Sequence, residues 1–131
     1  MQEIGSGPNY KVSVDQVKNR LYMGFSGDVL TSATVSPLPG YVKAACAALK
    51  PGFTCLADFT DMKLLGLPDL VTTVQGTIMS AGVRKVASVW SDEGFAKFLV
   101  DSSAHKLASG EYEGKRKVFK SVAEAEDWLD E

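Results

Sequence analysis

The spacing of apolar residues changes along this chain, and that change limits the folds that the chain can adopt. Between residues 10 and 25 apolar and polar residues alternate, which is typical of half-buried strands. From Pro37 onward apolar residues recur at intervals of three or four, as they do on the buried face of a helix. Extended and helical patterns then follow one another to the end of the chain. The sequence therefore predicts an α/β domain with a sheet covered by helices.

Two strands are predicted before the first helix, and a short polar segment over 15–19 joins them. Parallel neighbours need a crossover of about a dozen residues or more, so the short connection predicts an antiparallel hairpin. Residues 1–9 contain two glycines and a proline, which predicts a flexible lead without regular structure. The inward apolar residues of the hairpin are Tyr10, Val12, Val14, Leu21, Met23 and Phe25.

After the hairpin, helices and strands are predicted to alternate. Gly82 is expected to end the second helix, and the spacing of Ser121 and Glu124 is that of a capping box. We expect a mixed, mainly parallel sheet with an N-terminal hairpin and about four helices. The 131 residues suit one domain, placed over residues 10–131. The expected helices are 37–49, 68–81, 92–108 and 121–131, the expected strands are 53–59, 83–90 and 115–119, and a polar turn is expected over 109–114.

The chain is slightly acidic. Fourteen Lys and Arg against sixteen Asp and Glu give a net charge of −2, whereas a nucleic-acid-binding protein usually has a basic face that offsets phosphate charge. Nucleic acid is therefore not expected as a partner. A basic cluster at Lys115, Arg116 and Lys117 is followed by an acidic run over 124–131 that is close enough to cancel it. We interpret the cluster as a charged strand edge that discourages pairing between molecules.

Two features indicate the compartment of the protein. The first residues include no cationic segment followed by an apolar stretch, so no secretory signal is predicted. No window approaches the roughly 20 apolar residues needed to span a bilayer, so we expect no membrane insertion and a cytoplasmic protein. Cys46 and Cys55 lack the spacing of a metal or redox pair and are expected to be buried, reduced thiols.

The sequence offers no recognisable set of catalytic residues. His105 is the only histidine and lies in a polar stretch near the end of a predicted helix, where an exposed, non-catalytic role is expected. Neither a nucleophile-elbow motif nor a glycine-rich phosphate loop is present. We therefore predict no catalytic residue, no metal and no cofactor, and an enzyme is the least favoured of the functions considered.

Several segments of the chain occur in an order and spacing that resemble a known family. They are the hairpin start, the sequence ADFT at 57–60, VRKVA at 83–87, RKVF at 116–119 and AEAEDWL at 123–129. Together they look like the SpoIIAA-like, or STAS-like, family, and the resemblance covers nearly everything from Tyr10 onward. It implies a domain similar to anti-sigma-factor antagonists and to the cytoplasmic domains of sulfate transporters, which act mainly through protein partners.

The chain departs from that family at the phosphoacceptor. In the phosphorylated antagonists a D-S-S-G-like sequence opens the helix after the central strand and supplies the serine. Phosphorylation of a hydroxyl group adds about two negative charges and strong acceptor oxygens, so it needs a residue with a hydroxyl group. The phosphoacceptor is therefore not carried over, and nearby Thr60 is interpreted as a turn or capping residue. The residues at the matching positions are Gly66, Leu67, Pro68 and Asp69, which have no hydroxyl group.

Three loops are expected to meet at one edge of the sheet, because ligands of open α/β folds bind beyond the carboxyl ends of the strands. The aspartates in these loops could form an oxygen-rich cation site, but no known ligand spacing supports it. We interpret them as helix caps and turn residues. The candidate binding residues in the loops are Gly27, Asp28, Asp58, Thr60, Asp61, Trp90 and Ser91.

The helix predicted over 68–81 provides a second candidate surface. Gly76 lies in its middle, where glycine costs about 1 kcal/mol relative to alanine and often indicates a close backbone approach. Small or weakly polar residues around it could contact a partner, although an ordinary solvated helix face has the same composition. The candidate interaction residues are Thr72, Thr73, Gln75, Gly76 and Met79.

Two functions from different classes remain open on the sequence alone. The first is a non-enzymatic regulatory or scaffold domain that binds another protein and also forms a homodimer. The alternative is a carrier of a small apolar or lipid-like ligand. An internal cavity would indicate a carrier, and an exposed apolar patch would indicate a partner-binding module. The residues available for a carrier's pocket include Phe25, Tyr41, Met62, Leu64, Leu65, Met79, Trp90 and Phe95.

Overall fold

The computed structural model describes residues 1–27, 36–62, 68–90 and 111–131. The strands in these ranges are β1 (Gln2–Gly7), β2 (Tyr10–Asp15), β3 (Arg20–Gly27), β4 (Thr54–Met62), β5 (Lys85–Val89) and β6 (Arg116–Phe119). The helices are α1 (Leu38–Ala47), α2 (Pro68–Ser80), α3 (Glu111–Gly114) and α4 (Val122–Asp130). The helix expected over 92–108 lies outside the described residues.

The strands lie side by side in sequence order in one six-stranded sheet. β1 is antiparallel to β2 and β2 to β3, whereas β3, β4, β5 and β6 are parallel to one another. In the hairpin of β2 and β3, Tyr10 pairs with Phe25 and Asp15 with Arg20. The expected α/β fold, with an N-terminal hairpin and a mixed, mainly parallel sheet, is confirmed.

Two expected helix ends are also observed. Gly82 follows α2 with a φ of +93°, and the amide of Val83 donates to the carbonyl of Ile78 at 3.2 Å. Glycine adopts this conformation without a Cβ clash. The chain can then turn so that backbone amides after the helix donate to its last carbonyls, which have no partner within the helix. At the start of α4 the Oγ of Ser121 accepts from the amide of Glu124 at 3.1 Å, which is the serine half of the expected capping box.

Residues 1–9 correct the sequence analysis, because β1 forms in the segment that was expected to be a flexible lead. β1 pairs antiparallel with β2, and Ile4 packs against the core. A Cβ added at Gly5 would lie 2.5 Å from the ring of Tyr41, and one added at Gly7 would lie 2.5 Å from the ring of Tyr10. The absence of a side chain at these two glycines therefore lets the aromatic rings pack directly against the backbone of β1.

The expected polar turn over 109–114 is a second difference, because its described part forms the short helix α3. Tyr112 in this helix is 2% exposed and belongs to the core. One buried aromatic side chain in a polar stretch does not create a periodic pattern, so the helix leaves little signal in the sequence.

The sheet is covered on both faces. Residues of α1 and α2 form a large core with one face, and α4 forms a smaller core with the other. In the central strand β4, the successive residues Cys55, Leu56 and Ala57 are all buried. Cys55 and Ala57 face the larger core and Leu56 the smaller one, which is why this strand reads as a continuous apolar run.

Candidate functional site

The carboxyl ends of β3, β4 and β5 are adjacent, as expected for the loops that were proposed to bind a ligand. Gly27 is the last residue of β3, and Trp90 directly follows β5. Asp58, Thr60 and Asp61, however, lie within β4 and not in a loop after it. Asp28 and Ser91 fall outside the described residues, so the structure brings together only part of the predicted set.

A β-bulge explains why β4 continues past its predicted end. Gly24 of β3 pairs with Asp58, but Ser26 pairs with Asp61, so β4 contains one extra residue between these pairs. The Oδ1 of Asp58 accepts from the amide of Thr60 at 3.0 Å and from its Oγ1 at 2.7 Å. The Asp58 carboxylate thus stabilises the irregular backbone, and Thr60 is a strand residue at the bulge instead of the expected turn or capping residue.

Three aromatic rings stack at this end of the sheet. Phe25 and Phe59 are 5.0 Å apart between centroids with an interplanar angle of 5°, and Phe59 and Trp90 are 4.2 Å apart at 8°. Trp90 is 4% exposed, and its Nε1 has no hydrogen-bond partner among the described residues. Sequence reasoning missed the stack, although an aromatic residue near the end of each of three successive strands was a visible signal.

A small cavity lies beside the stack, between the sheet and α2. Its volume is about 40 Å³, which is room for a few water molecules at roughly 10–15 Å³ each. Sites for small-molecule ligands usually measure about 300–1,000 Å³. This cavity is therefore too small for the ligand of a carrier. Its lining includes Met23, Phe25, Phe59, Gln75, Ile78, Ser88 and Tyr112.

The candidate interaction residues of α2 lie on two different faces of the helix. Thr72 and Thr73 are exposed and Gly76 is half-buried, but Gln75 is 5% exposed and lines the small cavity. Met79 packs against the large core. Because the helical period is 3.6 residues, neighbouring positions lie on different faces of the helix. The predicted set therefore combined residues that face outward with Gln75 and Met79, which face the core.

The outward residues of α2 line a shallow groove against α1. We call it the α1–α2 groove, and its volume is about 730 Å³. Its lining side chains are small apart from Lys43, and four of them carry hydroxyl groups. The large apolar side chains that are exposed in the described ranges, Met1, Val17 and Val122, belong to three separate regions and form no apolar patch there. The groove is lined by Lys43, Cys46, Ala47, Thr72, Thr73, Gly76, Thr77, Ser80 and Ala81.

Gly76 lies within α2 and Gly82 follows its end, and the two glycines are predicted to respond oppositely to replacement by alanine. A Cβ added at Gly76 meets nothing within 4 Å, so the close approach expected from the sequence is not observed. Gly76→Ala should raise the free energy of unfolding by about 0.5–1 kcal/mol. Gly82→Ala should lower it by about 1 kcal/mol or more, because of the positive φ at Gly82. Urea denaturation measures both, and two changes of the same sign would contradict this assignment.

An ionic cluster at the opposite end of the parallel strands is the main feature that the sequence analysis missed. Arg20 of β3 is 2% exposed, and its Nη1 lies 2.6 Å from Glu126 Oε1 and its Nη2 2.8 Å from Asp130 Oδ1. Its Nε donates to Thr54 Oγ1 at 2.8 Å, and the hydroxyl of Tyr22 donates to Glu126 Oε1 at 2.8 Å. The cluster joins β3 and β4 to α4.

The charges of this cluster stabilise one another. Burial raises the pKa of Glu126, but hydrogen bonds from Tyr22 and Arg20 outweigh it and leave that pKa below its usual value. The hydrogen bond from Arg20 lowers the pKa of Asp130. Burial and the bond to Glu126 raise the pKa of Tyr22 to about 12. The carboxylates are therefore held ionised, which suits a structural ion pair better than a proton-transferring site.

The same cluster corrects the interpretation of the acidic run over 124–131. That run was expected to cancel the basic cluster at Lys115, Arg116 and Lys117. Glu126 and Asp130 instead pair with Arg20, on the side of α4 that faces β3. Within the described ranges, neither Lys115 nor Lys117 forms an ion pair with a carboxylate.

Metal, cysteine and membrane features add no further site within the described part of the chain. No three potential metal-ligating side chains lie together there, and no helix there is long and apolar enough to cross a bilayer. Cys46 and Cys55 are free thiols; Cys55 is buried as expected, but Cys46 is only half-buried, and partial burial raises its pKa to about 11. His105 lies outside the described residues.

The architecture defines the class of fold as SpoIIAA-like. One similar solved structure is an uncharacterized protein of the DUF3478 family with a SpoIIAA-like fold from Shewanella loihica PV-4. It is 18% identical, has a TM-score of 0.61 and is matched over 95% of this chain and 98% of that one. An anti-sigma factor antagonist from Mycobacterium paratuberculosis is 14% identical, with a TM-score of 0.59 over 97% of this chain and 100% of that one. These likenesses show the fold. No protein-family model and no curated protein sequence matches this chain.

Proposed function

We propose that this protein is a non-enzymatic regulatory or scaffold domain that binds a protein partner through the α1–α2 groove. The groove carries the proposal, because the α2 side chains that line this shallow surface are all small. The fold shared with an anti-sigma factor antagonist supports the same class of function. The cavity beside the aromatic stack is smaller than a usual ligand site, so a carrier is the less favoured function.

Regulation by a phosphate at the start of α2 is not part of this proposal. Residues 66–69 offer no hydroxyl group, so partner binding would be controlled by the presence of the partner and not by modification at this point. The hydroxyl groups of Thr72 and Thr73 lie one turn further along the helix and face the groove. They would donate and accept hydrogen bonds to a partner's backbone.

Site-specific photo-crosslinking in the source cells tests this proposal. A photoreactive amino acid in place of Thr73 should crosslink to one protein, whereas the same amino acid in place of exposed Lys50 should not. Gly76→Arg should reduce the Thr73 crosslink at least tenfold, because a long side chain would fill the groove and an added Cβ there meets no described atom. Gly76→Ala is the matched control and should leave the crosslink within twofold.

Four results would contradict the proposal. Equal crosslinking from both positions would show random collision, and an unchanged crosslink in Gly76→Arg would remove the groove from consideration. A tightly held mass of a few hundred daltons in native mass spectrometry, lost on denaturation, would favour the carrier. A crosslinked product with the mass of two copies would assign the groove to the homodimer that the sequence analysis expected.

A further inference from the structure

The strand β6 forms one edge of the described sheet, and half of its backbone groups point away from the sheet. The carbonyl of Lys115 accepts from the amide of Val86 at 2.8 Å, and that of Phe119 accepts from Trp90 at 3.0 Å. Because successive residues of a strand direct their backbone groups to opposite sides, the N–H and C=O of Val118 point away from β5. No described strand pairs with that side of β6.

Positive charge is concentrated along this edge. Four cationic residues lie between positions 115 and 120, in a protein whose net charge is −2. Lys117 and Lys120 are exposed, and no carboxylate of the described residues forms an ion pair with either. By contrast, Lys11 lies 3.6 Å from Glu3, and Lys18 lies 3.5 Å from Glu126. Lys117 and Lys120 therefore give the β6 edge positive charge that is not paired with a carboxylate of the described residues.

The charge of the edge determines which strands can pair with it. A second copy of β6 would bring another set of cationic side chains beside the first, and like charges on adjacent strands are destabilising. The edge thus resists self-association, as the sequence interpretation held. An extended segment with carboxylates would instead be attracted by the same lysines.

We propose that the β6 edge binds an acidic extended segment of a partner protein by strand addition. The backbone groups of Val118 would form the hydrogen bonds, and Lys117 and Lys120 would select for carboxylate side chains. Lys117 Nζ lies 5.5 Å from the ring centroid of half-buried Phe119 and 6.0 Å from that of Trp128, so apolar surface is available beside the charge. This site is separate from the α1–α2 groove and does not depend on it.

Titration of the full-length chain with synthetic peptides tests the proposal. A hexapeptide of alternating Glu and Val should bind and should slow hydrogen exchange of the Val118 amide at least tenfold. A hexapeptide of alternating Lys and Val should not bind at the same concentration. Raising the salt concentration should weaken the binding, because the lysines are exposed.

Variants separate strand addition from simple charge attraction. Lys117→Glu should weaken binding of the Glu-Val peptide at least tenfold, whereas Lys50→Glu changes the net charge equally at an exposed position beside Asn19 and should leave binding within twofold. Val118→Pro keeps every charge but removes the outward N–H, and proline is tolerated on that side of an edge strand. It should also weaken binding at least tenfold, and if it does not fold, Lys117→Glu and the exchange measurement still decide.

The proposal is overturned if the Glu-Val peptide does not bind the folded protein or if the Lys-Val peptide binds equally well. It is also overturned if the Glu-Val peptide binds without slowing exchange at Val118, because the attraction would then be electrostatic only. Tighter binding of a single-stranded oligothymidylate than of the Glu-Val peptide would assign the edge to nucleic acid instead.

Discussion

Glu126→Ala is expected to lower the free energy of unfolding by about 3 kcal/mol. The substitution leaves the Arg20 guanidinium, which is 2% exposed, without its 2.6 Å partner, and it leaves the hydroxyl of Tyr22 without its acceptor. The remaining bond from Arg20 to Asp130 offsets part of the cost. Chemical denaturation measures the effect. Asp127→Ala is the matched control on the same helix, and as an exposed position it should change stability by less than about 0.5 kcal/mol.

The pH dependence of stability in the wild type and in Glu126→Ala tests whether the charge of Glu126 causes the loss of stability. The pKa of Glu126 is lower in the folded protein than its ordinary value of 4.5, so its contribution is fully present above that value and is lost as the pH falls through the lower, folded-state pKa. The stability difference between the wild type and Glu126→Ala should therefore be constant near neutral pH and should shrink in acid. A difference that stays constant down to pH 3 would show that packing, not the ion pair, causes the loss.

Phe59→Ala is expected to lower the free energy of unfolding by about 3–5 kcal/mol. Phe59 is 7% exposed and lies between Phe25 and Trp90, so its removal leaves a cavity and also breaks two stacked contacts worth about 0.5–1.5 kcal/mol each. Trp90 would then lose its neighbour at 4.2 Å, and the tryptophan fluorescence of the folded protein should change.

Two controls accompany this variant. Phe59→Leu keeps most of the volume and should cost clearly less than the alanine substitution. Phe119→Ala removes a half-buried ring that contacts Trp128 on the other face of the sheet, and it should also cost less. A loss below about 1 kcal/mol for Phe59→Ala would mean that the stack contributes little to the fold, and an unchanged fluorescence spectrum would mean that Trp90 does not depend on Phe59.

The two proposed surfaces differ in what they would recognise. The α1–α2 groove is concave and lined by small and hydroxyl side chains, so shape and hydrogen bonds would dominate binding there. The β6 edge is a strand with exposed lysines, so backbone pairing and carboxylates would dominate. A regulatory domain with both could hold two partners at once. The photo-crosslinking and peptide experiments address one surface each, so one proposal can fail without the other.

The candidate surfaces were only partly predictable from the sequence. The carboxyl ends of the strands were placed correctly, but Asp58 and Thr60 were assigned to a loop because a bulge adds a residue to β4 without a local sequence signal. Gln75 and Met79 were grouped with Thr72 and Thr73 because all four are near Gly76 in sequence. Only the packing of α2 on the sheet shows which residues face inward.

The sequence by itself determined the order of the hairpin, the parallel strands and the three main described helices, because a period of two or of 3.6 residues is a local property that burial imposes on each element. The end of α2 at Gly82 was also local, since only the backbone conformation at that residue is involved. The tertiary structure decided the rest. The ring of Tyr41 packs against Gly5 in the N-terminal segment that forms β1. Arg20 forms ion pairs with Glu126 and Asp130, which lie more than 100 positions away in the sequence. Contacts between residues so distant along the chain leave no periodic trace, so the pairing of Glu126 and Asp130 with Arg20 becomes visible only in the folded protein.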